Sequence, residues 1–184
     1  MNKKNQIKLD TATFGQGCFW CSQSIFEEVK GVKKVIAGYA GGEIPNPSYQ
    51  QVCSGETGYA EVVQVIFNPK EVDYITLLEI FWRTHNPTTL NRQGADVGTQ
   101  YRSVIFFNDK IQQKEALSIK NRLETEKIWD KPIVTEITAL TSFYPAEEYH
   151  QDYYKKNPAA GYCQFVITPK IEKFRKIFKS RLKK

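Results

Sequence analysis

The sequence predicts an α/β (α+β) fold. Its expected core is a ferredoxin-like two-layer sandwich, ordered β-α-β-β-α-β with the helices on one face, plus additional C-terminal elements. Three observations lead there. Short β-branched and aromatic runs, such as Ala60–Phe67, alternate with stretches of helical periodicity. Through Phe107 their order is that of a split βαβ unit. The 184 residues contain no internal repeat, low-complexity tract or Ser/Gly-rich linker, so 1–184 reads as a single domain. Residues 1–10 form an N-terminal extension and 171–184 a basic amphipathic C-terminal helix.

Each element has a local cause. A β-like run near 11–16 precedes a helical pattern near 19–30, which Gly31 can terminate. A strand follows near 32–39, then a Gly/Pro-rich loop from Gly41 to Ser48. The strand Ala60–Phe67 stops at Asn68-Pro69. Asp73 can N-cap a helix that runs to His85 and is halted by Asn86-Pro87. A polar loop, Thr88–Gln100, leads into the strand Ser103–Phe107. Asp109 caps a helix through about Trp129. Ile133–Leu140 reads as a strand and Pro145–Lys156 as a helix with proline near its first turn.

Composition narrows the function. The net charge is +6, but Lys170–Lys184 alone carries +7, so the remainder is close to neutral. In that tail Ile171, Phe174, Ile177, Phe178 and Leu182 recur at helical spacing, which predicts a helix docked on the body with a solvated basic face. Nucleic-acid binding is therefore not expected, although a binding module built on the basic tail is the alternative from a different class. No stretch approaches membrane-spanning length, and the lysines near the start have no apolar run behind them. Four cysteines are too few for a disulfide scaffold at this length. A reducing, cytoplasmic setting and a monomer are expected.

The chemistry centres on Gly17-Cys18-Phe19-Trp20-Cys21. Cys18 falls at a strand-to-helix junction, where unpaired backbone N–H groups and the helix dipole favour a thiolate. Cys21 lies one helical turn later, so the two sulfurs can share a face. Such a pair signals redox chemistry or half a zinc site, and no second closely spaced pair completes the latter. Phe19 and Trp20 either pack in the core or wall an apolar slot beside the thiol, sized for an uncharged group such as a methyl thioether. Glu61 sits in an apolar strand, on the face opposite Val62. It is either a surface carboxylate or an interior one, and in the interior desolvation makes it a proton donor near neutral pH. Glu56, in the preceding turn, is expected to be exposed. Tyr39 ends a strand and can send its hydroxyl toward the same region. The loop Asn91–Ser103 is dense in hydrogen-bonding groups and reads as a polar pocket or a solvated linker. His150 reads as structural, His85 as a helix C-cap and Cys53 as a bystander. Cys163, after Gly161-Tyr162, lies in a segment that can carry a thiol to Cys18.

Taken together, these segments resemble the peptide methionine sulfoxide reductase A family, from about residue 11 to residue 170. The matching pieces are Gly17-Cys18-Phe19-Trp20, Tyr39-Ala40-Gly41-Gly42, Gly58-x-Ala60-Glu61-Val62, Asn91-Arg92-Gln93-Gly94 and Gly98-Thr99-Gln100-Tyr101-Arg102-Ser103. The resemblance implies that Cys18 is the nucleophile, that Phe19 and Trp20 hold the substrate's S-methyl group, and that Glu61 is a buried acid. It further implies that Tyr39 and Tyr101 bind the sulfoxide oxygen and that Asp96 belongs to the same polar site. Cys163 stands where many members carry their recycling cysteine, and Cys21 matches a subset. Cys163 is favoured as the resolving thiol, with Cys21 as the alternative. Tyr59 and Ala95 depart from the commoner His and Asn. The implied activity is reduction of the S epimer of methionine sulfoxide, free or in proteins, with thioredoxin as reductant and with no metal or organic cofactor. A general thioredoxin-like dithiol oxidoreductase is the nearer alternative, but it leaves Glu61, Tyr101 and the 91–103 loop without roles.

Overall fold

The computed structural model describes residues 8–183; most of the expected N-terminal extension, residues 1–7, and Lys184 lie outside the described residues. In chain order the elements are β1 (Asp10–Gln16), α1 (Phe19–Glu27), β2 (Val32–Ala40), α2 (Tyr49–Cys53), β3 (Ala60–Phe67) and α3 (Tyr74–Thr84). The short β4 (Arg92–Gln93) and β5 (Asp96–Val97) follow, then β6 (Ser103–Phe107), α4 (Lys110–Thr125), β7 (Glu136–Ala139), β8 (Phe143–Pro145), α5 (Tyr153–Lys156) and α6 (Thr168–Ile177).

The α/β class is the observed one. The main sheet is wider than a four-stranded core: its order is β7-β6-β1-β3-β2-β8, antiparallel except for the β6–β7 pair. β3 is central, and both of its faces are covered. Val63 and Val65 face the main core beneath α1 and α3, while Val62 packs with Ala40, Ala60, Val104 and Phe106 on the opposite face. Phe14 of β1 anchors the main core against Phe26, Tyr74 and Phe81, with ring centroids 5.4, 6.1 and 5.3 Å away.

Capping explains several boundaries. Asp73 Oδ1 accepts the Thr76 N–H at 2.7 Å, and Asp109 Oδ1 accepts those of Ile111 and Gln112 at 2.8 and 2.9 Å. The Ser48/Gln51 capping box starts α2, inside a stretch that the sequence presented only as loop and turn. α4 stops at Thr125, short of Trp129, because Lys127 turns the chain at φ +50° and the Ile128 N–H reaches back to Leu123 O.

The expected helix over Pro145–Lys156 does not form. Its place is taken by the edge strand β8, a 3-10 turn at Glu148–His150 and the four-residue α5. The competing interaction is side chain to backbone. Gln151 Oε1 accepts the Ala37 N–H at 3.0 Å, while its Nε2 donates to Ala37 O and Ala146 O at 2.9 Å each. Gln151 thereby pairs with the edge of β2 as a strand would, and Asp152 follows at φ +56°.

At the C-terminus, a π-helical turn at Cys163–Ile167 leads into α6, which buries Ile171 and Phe174. Arg175 grips the Glu28 carboxylate with two nitrogens at 2.8 and 2.5 Å. Lys30 N–H donates to Arg181 O at 2.7 Å and Lys183 N–H to Glu28 O at 2.8 Å, tying the tail to the end of α1. Among the described residues no helix is long and apolar enough to cross a membrane.

His85, at the C-cap of α3, joins three elements. Its Nδ1–H donates to Phe81 O at 2.7 Å, and its Nε2 accepts from the Ser103 hydroxyl at 2.7 Å. Ser103 Oγ lies 2.7 Å from Thr135 Oγ1. Burial pushes the His85 pKa down to about 4. The unfolded chain, at the usual value near 6.5, therefore binds a proton that the native state refuses, and stability is lost as pH falls. Urea titrations should show a loss of up to about 3 kcal/mol between pH 6.5 and pH 4 from this group. His85→Gln should flatten that part of the profile; an unchanged slope would contradict the assignment.

Candidate active site

The site is assembled where β1 hands over to α1. Gly17 turns the chain at φ +94°, a conformation that favours glycine, and a Cβ there would sit 2.7 Å from the Gln93 side chain. Gln93 is itself fixed by a reciprocal pair of 3.1 Å bonds with the Asn86 backbone. This junction makes Cys18 the N-cap residue of α1, half-buried and with no side-chain cap bond.

Glu61 answers the first open question of the sequence. It is 2 % exposed, and the register pairs it with Tyr39, so the two side chains leave the sheet on the α1 face. Strand alternation alone gave a surface alternative because it assumed one wet face, whereas β3 is covered on both. Glu61 Oε2 accepts the Phe19 N–H at 3.0 Å, so a carboxyl from β3 caps the first turn of α1 beside Cys18. Burial pushes its pKa up to about 8; the Phe19 N–H opposes this and the Asp96 charge adds to it.

The thiol shift runs against the helix-terminus expectation. Burial first, then the Glu61 charge, push the Cys18 thiol well above its ordinary value. The Trp20 N–H and the Tyr162 hydroxyl favour the thiolate and offset only part of this. The helix end therefore does not by itself produce a resting thiolate: desolvation outweighs it. The Glu61 contribution exists only while that carboxyl is ionised, so protonating Glu61 removes one of the forces holding the proton on Cys18.

Around this pair lies an aromatic wall. Phe19 is 1 % exposed, with ring centroids 5.8 Å from Tyr39 and 5.0 Å from His150. Trp20 stacks on Tyr153 at 3.6 Å and 6°, and meets Tyr162 edge-on at 5.9 Å. Its indole Nε1–H donates to His150 Nδ1 at 3.0 Å.

The polar side comes from three segments. Tyr39 donates its hydroxyl proton to Glu147 Oε2 at 2.8 Å. Tyr101 ends a 3-10 turn after Gly98, and its hydroxyl makes no hydrogen bond to a described side chain. The turn is pinned by Arg102, whose guanidinium donates to Thr99 O at 3.1 Å and Gly58 O at 2.9 Å. Tyr101 feels the charges of both Glu61 and Cys18. Asp96 Oδ2 accepts the Tyr162 hydroxyl at 2.6 Å. Cys18, Glu61, Tyr39, Tyr101, Phe19, Trp20 and Asp96 are thus brought to one place.

The other thiols differ in access. All four cysteines are free. Cys21 is buried and close enough for its charge to act on Cys18. Cys163 is fully buried in the main core, within the π-helical turn. Cys53 is exposed at the end of α2, and Glu56 is exposed in the turn. Tyr59, a departure from the family pattern, is absorbed locally: its hydroxyl donates to Ile44 O at 2.5 Å.

Sequence reasoning missed Tyr162, Glu147 and the site position of His150. The Gly161-Tyr162-Cys163 segment drew notice for its thiol alone. Glu147 and His150 were hidden by the helix expected across them.

The profile of the family described as Peptide methionine sulfoxide reductase matches residues 10–182. The chain is 52% identical over 177 residues to Peptide methionine sulfoxide reductase MsrA of Polynucleobacter asymbioticus, covering 96% of this chain and 93% of that one. It resembles Mxr1 from Saccharomyces cerevisiae in reduced form, with TM-score 0.78 and 38% identity over 88% of this chain and 93% of that one. It also resembles Mxr1 in complex with Trx2, with TM-score 0.56 and 28% identity over 83% of this chain and 90% of that one. The site that joins Cys18, Glu61 and two tyrosines therefore stands in a chain that belongs to the peptide methionine sulfoxide reductase family.

Proposed function

We propose that this protein reduces the S epimer of methionine sulfoxide, free or within proteins, to methionine, using Cys18 as nucleophile. The observation that carries this reading is the Glu61 carboxyl, buried against the N–H of the residue after Cys18 and holding its proton to about pH 8. A sulfoxide sulfur becomes a good electrophile when its oxygen is protonated or strongly hydrogen-bonded. With Glu61 already protonated, its charge no longer opposes ionisation of Cys18; the Cys18 proton leaves to solvent, giving thiolate and acid together, the pair the reaction consumes. Sulfur attacks sulfur, the oxygen passes to Cys18 with the Glu61 proton, methionine leaves, and Cys18 becomes a sulfenic acid. Tyr39 and Tyr101 hold the oxygen, Phe19 and Trp20 enclose the methyl group, and Asp96 fixes Tyr162 at the thiol.

A second thiol then condenses with the sulfenic acid, releasing water and forming a disulfide. Cys163 serves as that thiol, with Cys21 as the alternative. Thioredoxin, the class of partner seen with the yeast relative, restores the dithiol in a cytoplasmic setting. The dithiol-oxidoreductase reading gains nothing from the geometry, because it gives the buried acid and the tyrosines no work.

One turnover with methionine sulfoxide and no reductant tests the reading. Peptide mass mapping should find a disulfide joining Cys18 to Cys163. A Cys18–Cys21 bond would transfer the resolving role, and methionine formation by Cys18→Ser would contradict the mechanism.

Glu61→Gln gives a second, two-sided expectation. The native pKa of Glu61 lies above its unfolded value near 4.5, so its contribution to stability is intact below that pH and lost as pH rises toward 8. The loss at pH 8 is on the order of 5 kcal/mol. Glutamine keeps the acceptor for Phe19 N–H and never ionises. The variant should match wild type near pH 4, exceed it in stability at pH 8, and reduce sulfoxide at least about tenfold more slowly, as expected for a lost general acid. Parallel stability curves, or unchanged single-turnover rates, would contradict the role of Glu61.

A further inference from the structure

Tyr39 has one hydroxyl proton, and in this structure Glu147 Oε2 takes it at 2.8 Å. Tyr39 is fully buried, so that proton is not shared with bulk solvent. If Tyr39 is to donate to a sulfoxide oxygen, Glu147 must give the proton up. The carboxylate is then left with the Tyr49 N–H on Oε1, at 2.8 Å, and nothing from Tyr39 on Oε2. Removing a donor leaves a partly buried carboxylate short of a hydrogen bond unless another takes its place.

A replacement donor stands ready. His150 Nδ1 accepts the Trp20 indole proton at 3.0 Å, which places the ring's own proton on Nε2. His150 is 1 % exposed, and its Nε2 has no hydrogen-bond partner among the described residues. That unpartnered nitrogen lies 4.0 Å from the same Glu147 Oε2 that Tyr39 occupies. Closing the gap to hydrogen-bond distance takes about 1 Å of movement.

We propose that Glu147 and His150 form an exchange pair: when the substrate oxygen takes the Tyr39 hydroxyl proton, Glu147 drops Tyr39 and accepts the His150 Nε2–H instead. His150 and Glu147 are positioning residues, since neither touches the reacting atoms. The exchange links the two halves of the pocket. His150 also holds Trp20, so filling the methyl slot and releasing the oxygen-side hydroxyl act on one imidazole. The inference rests on the sulfoxide-reductase reading of the site, and wild-type turnover of methionine sulfoxide tests that reading separately.

A double-mutant cycle tests the exchange. His150→Asn retains an acceptor near the Nδ1 position for Trp20 and removes the Nε2–H; Tyr39→Phe removes the proton to be released. Each single variant should slow single-turnover reduction of methionine sulfoxide about tenfold, the worth of one hydrogen bond in the transition state. If the exchange operates, the double variant is no slower than Tyr39→Phe, because with no proton to release the replacement donor has no task. Losses that multiply to about a hundredfold, or a His150→Asn rate equal to wild type, would overturn it.

Should His150→Asn fail to fold, the imidazole can be read directly in Cys18→Ser with dimethyl sulfoxide as the probe. Saturation should move the His150 Nε2–H proton resonance downfield as it bonds to the carboxylate. A resonance that stays in place while the probe binds would overturn the exchange.

Discussion

A carboxyl group from the middle strand of the sheet caps a helix that begins with the proposed nucleophile, Cys18. Glu61 Oε2 and the Phe19 N–H, 3.0 Å apart, tie β3 to the first turn of α1. Two opposed effects meet at that contact. The helix end favours a negative charge, and burial on a strand covered from both sides disfavours it. Burial wins, leaving Glu61 as an acid at neutral pH and raising the Cys18 thiol with it. Neither group is reactive alone. The reactive state is a Cys18 thiolate beside a protonated Glu61, and this couples attack on sulfur to protonation of oxygen in the proposed mechanism.

The remaining architecture serves that contact. The β2–β3 register sets Tyr39 opposite Glu61 on one face. The turn at Gly98 and the grip of Arg102 on Thr99 O and Gly58 O bring Tyr101 to the same side. Gln151, by pairing with the edge of β2, holds the segment that delivers Glu147 and His150. Polar positions are fixed here chiefly by hydrogen bonds from side chain to backbone, which are directional. The apolar wall relies on stacking, as between Trp20 and Tyr153. Such a division suits a substrate with one polar oxygen and one apolar methyl group.

Much of this was legible in the sequence where the signal is local. β3 and β6 occupy the predicted residues, and Asp73 and Asp109 cap the helices they were expected to cap. The Gly-Cys-Phe-Trp junction lies at the start of α1, as expected, with Cys18 as its N-cap residue. What the sequence left undecided depends on distant partners. Whether Glu61 faced water turned on what covers the second side of β3. The direction of the Cys18 shift turned on burial and on a carboxyl from another strand. The segment from Pro145 to Lys156 carries helical spacing, but Gln151 finds better hydrogen bonds on Ala37 than a helix would give it. Glu147 and His150 disappeared from view with that misread segment.

The central claim is that Glu61 holds a proton at neutral pH because of where it is buried. Its carboxyl carbon can be followed by NMR through a pH titration of protein labelled at glutamate, with Glu61→Gln identifying the resonance. The account predicts a midpoint near 8. A midpoint near the ordinary glutamate value, about 4.3, would mean that Glu61 is ionised at neutral pH and cannot be the proton source.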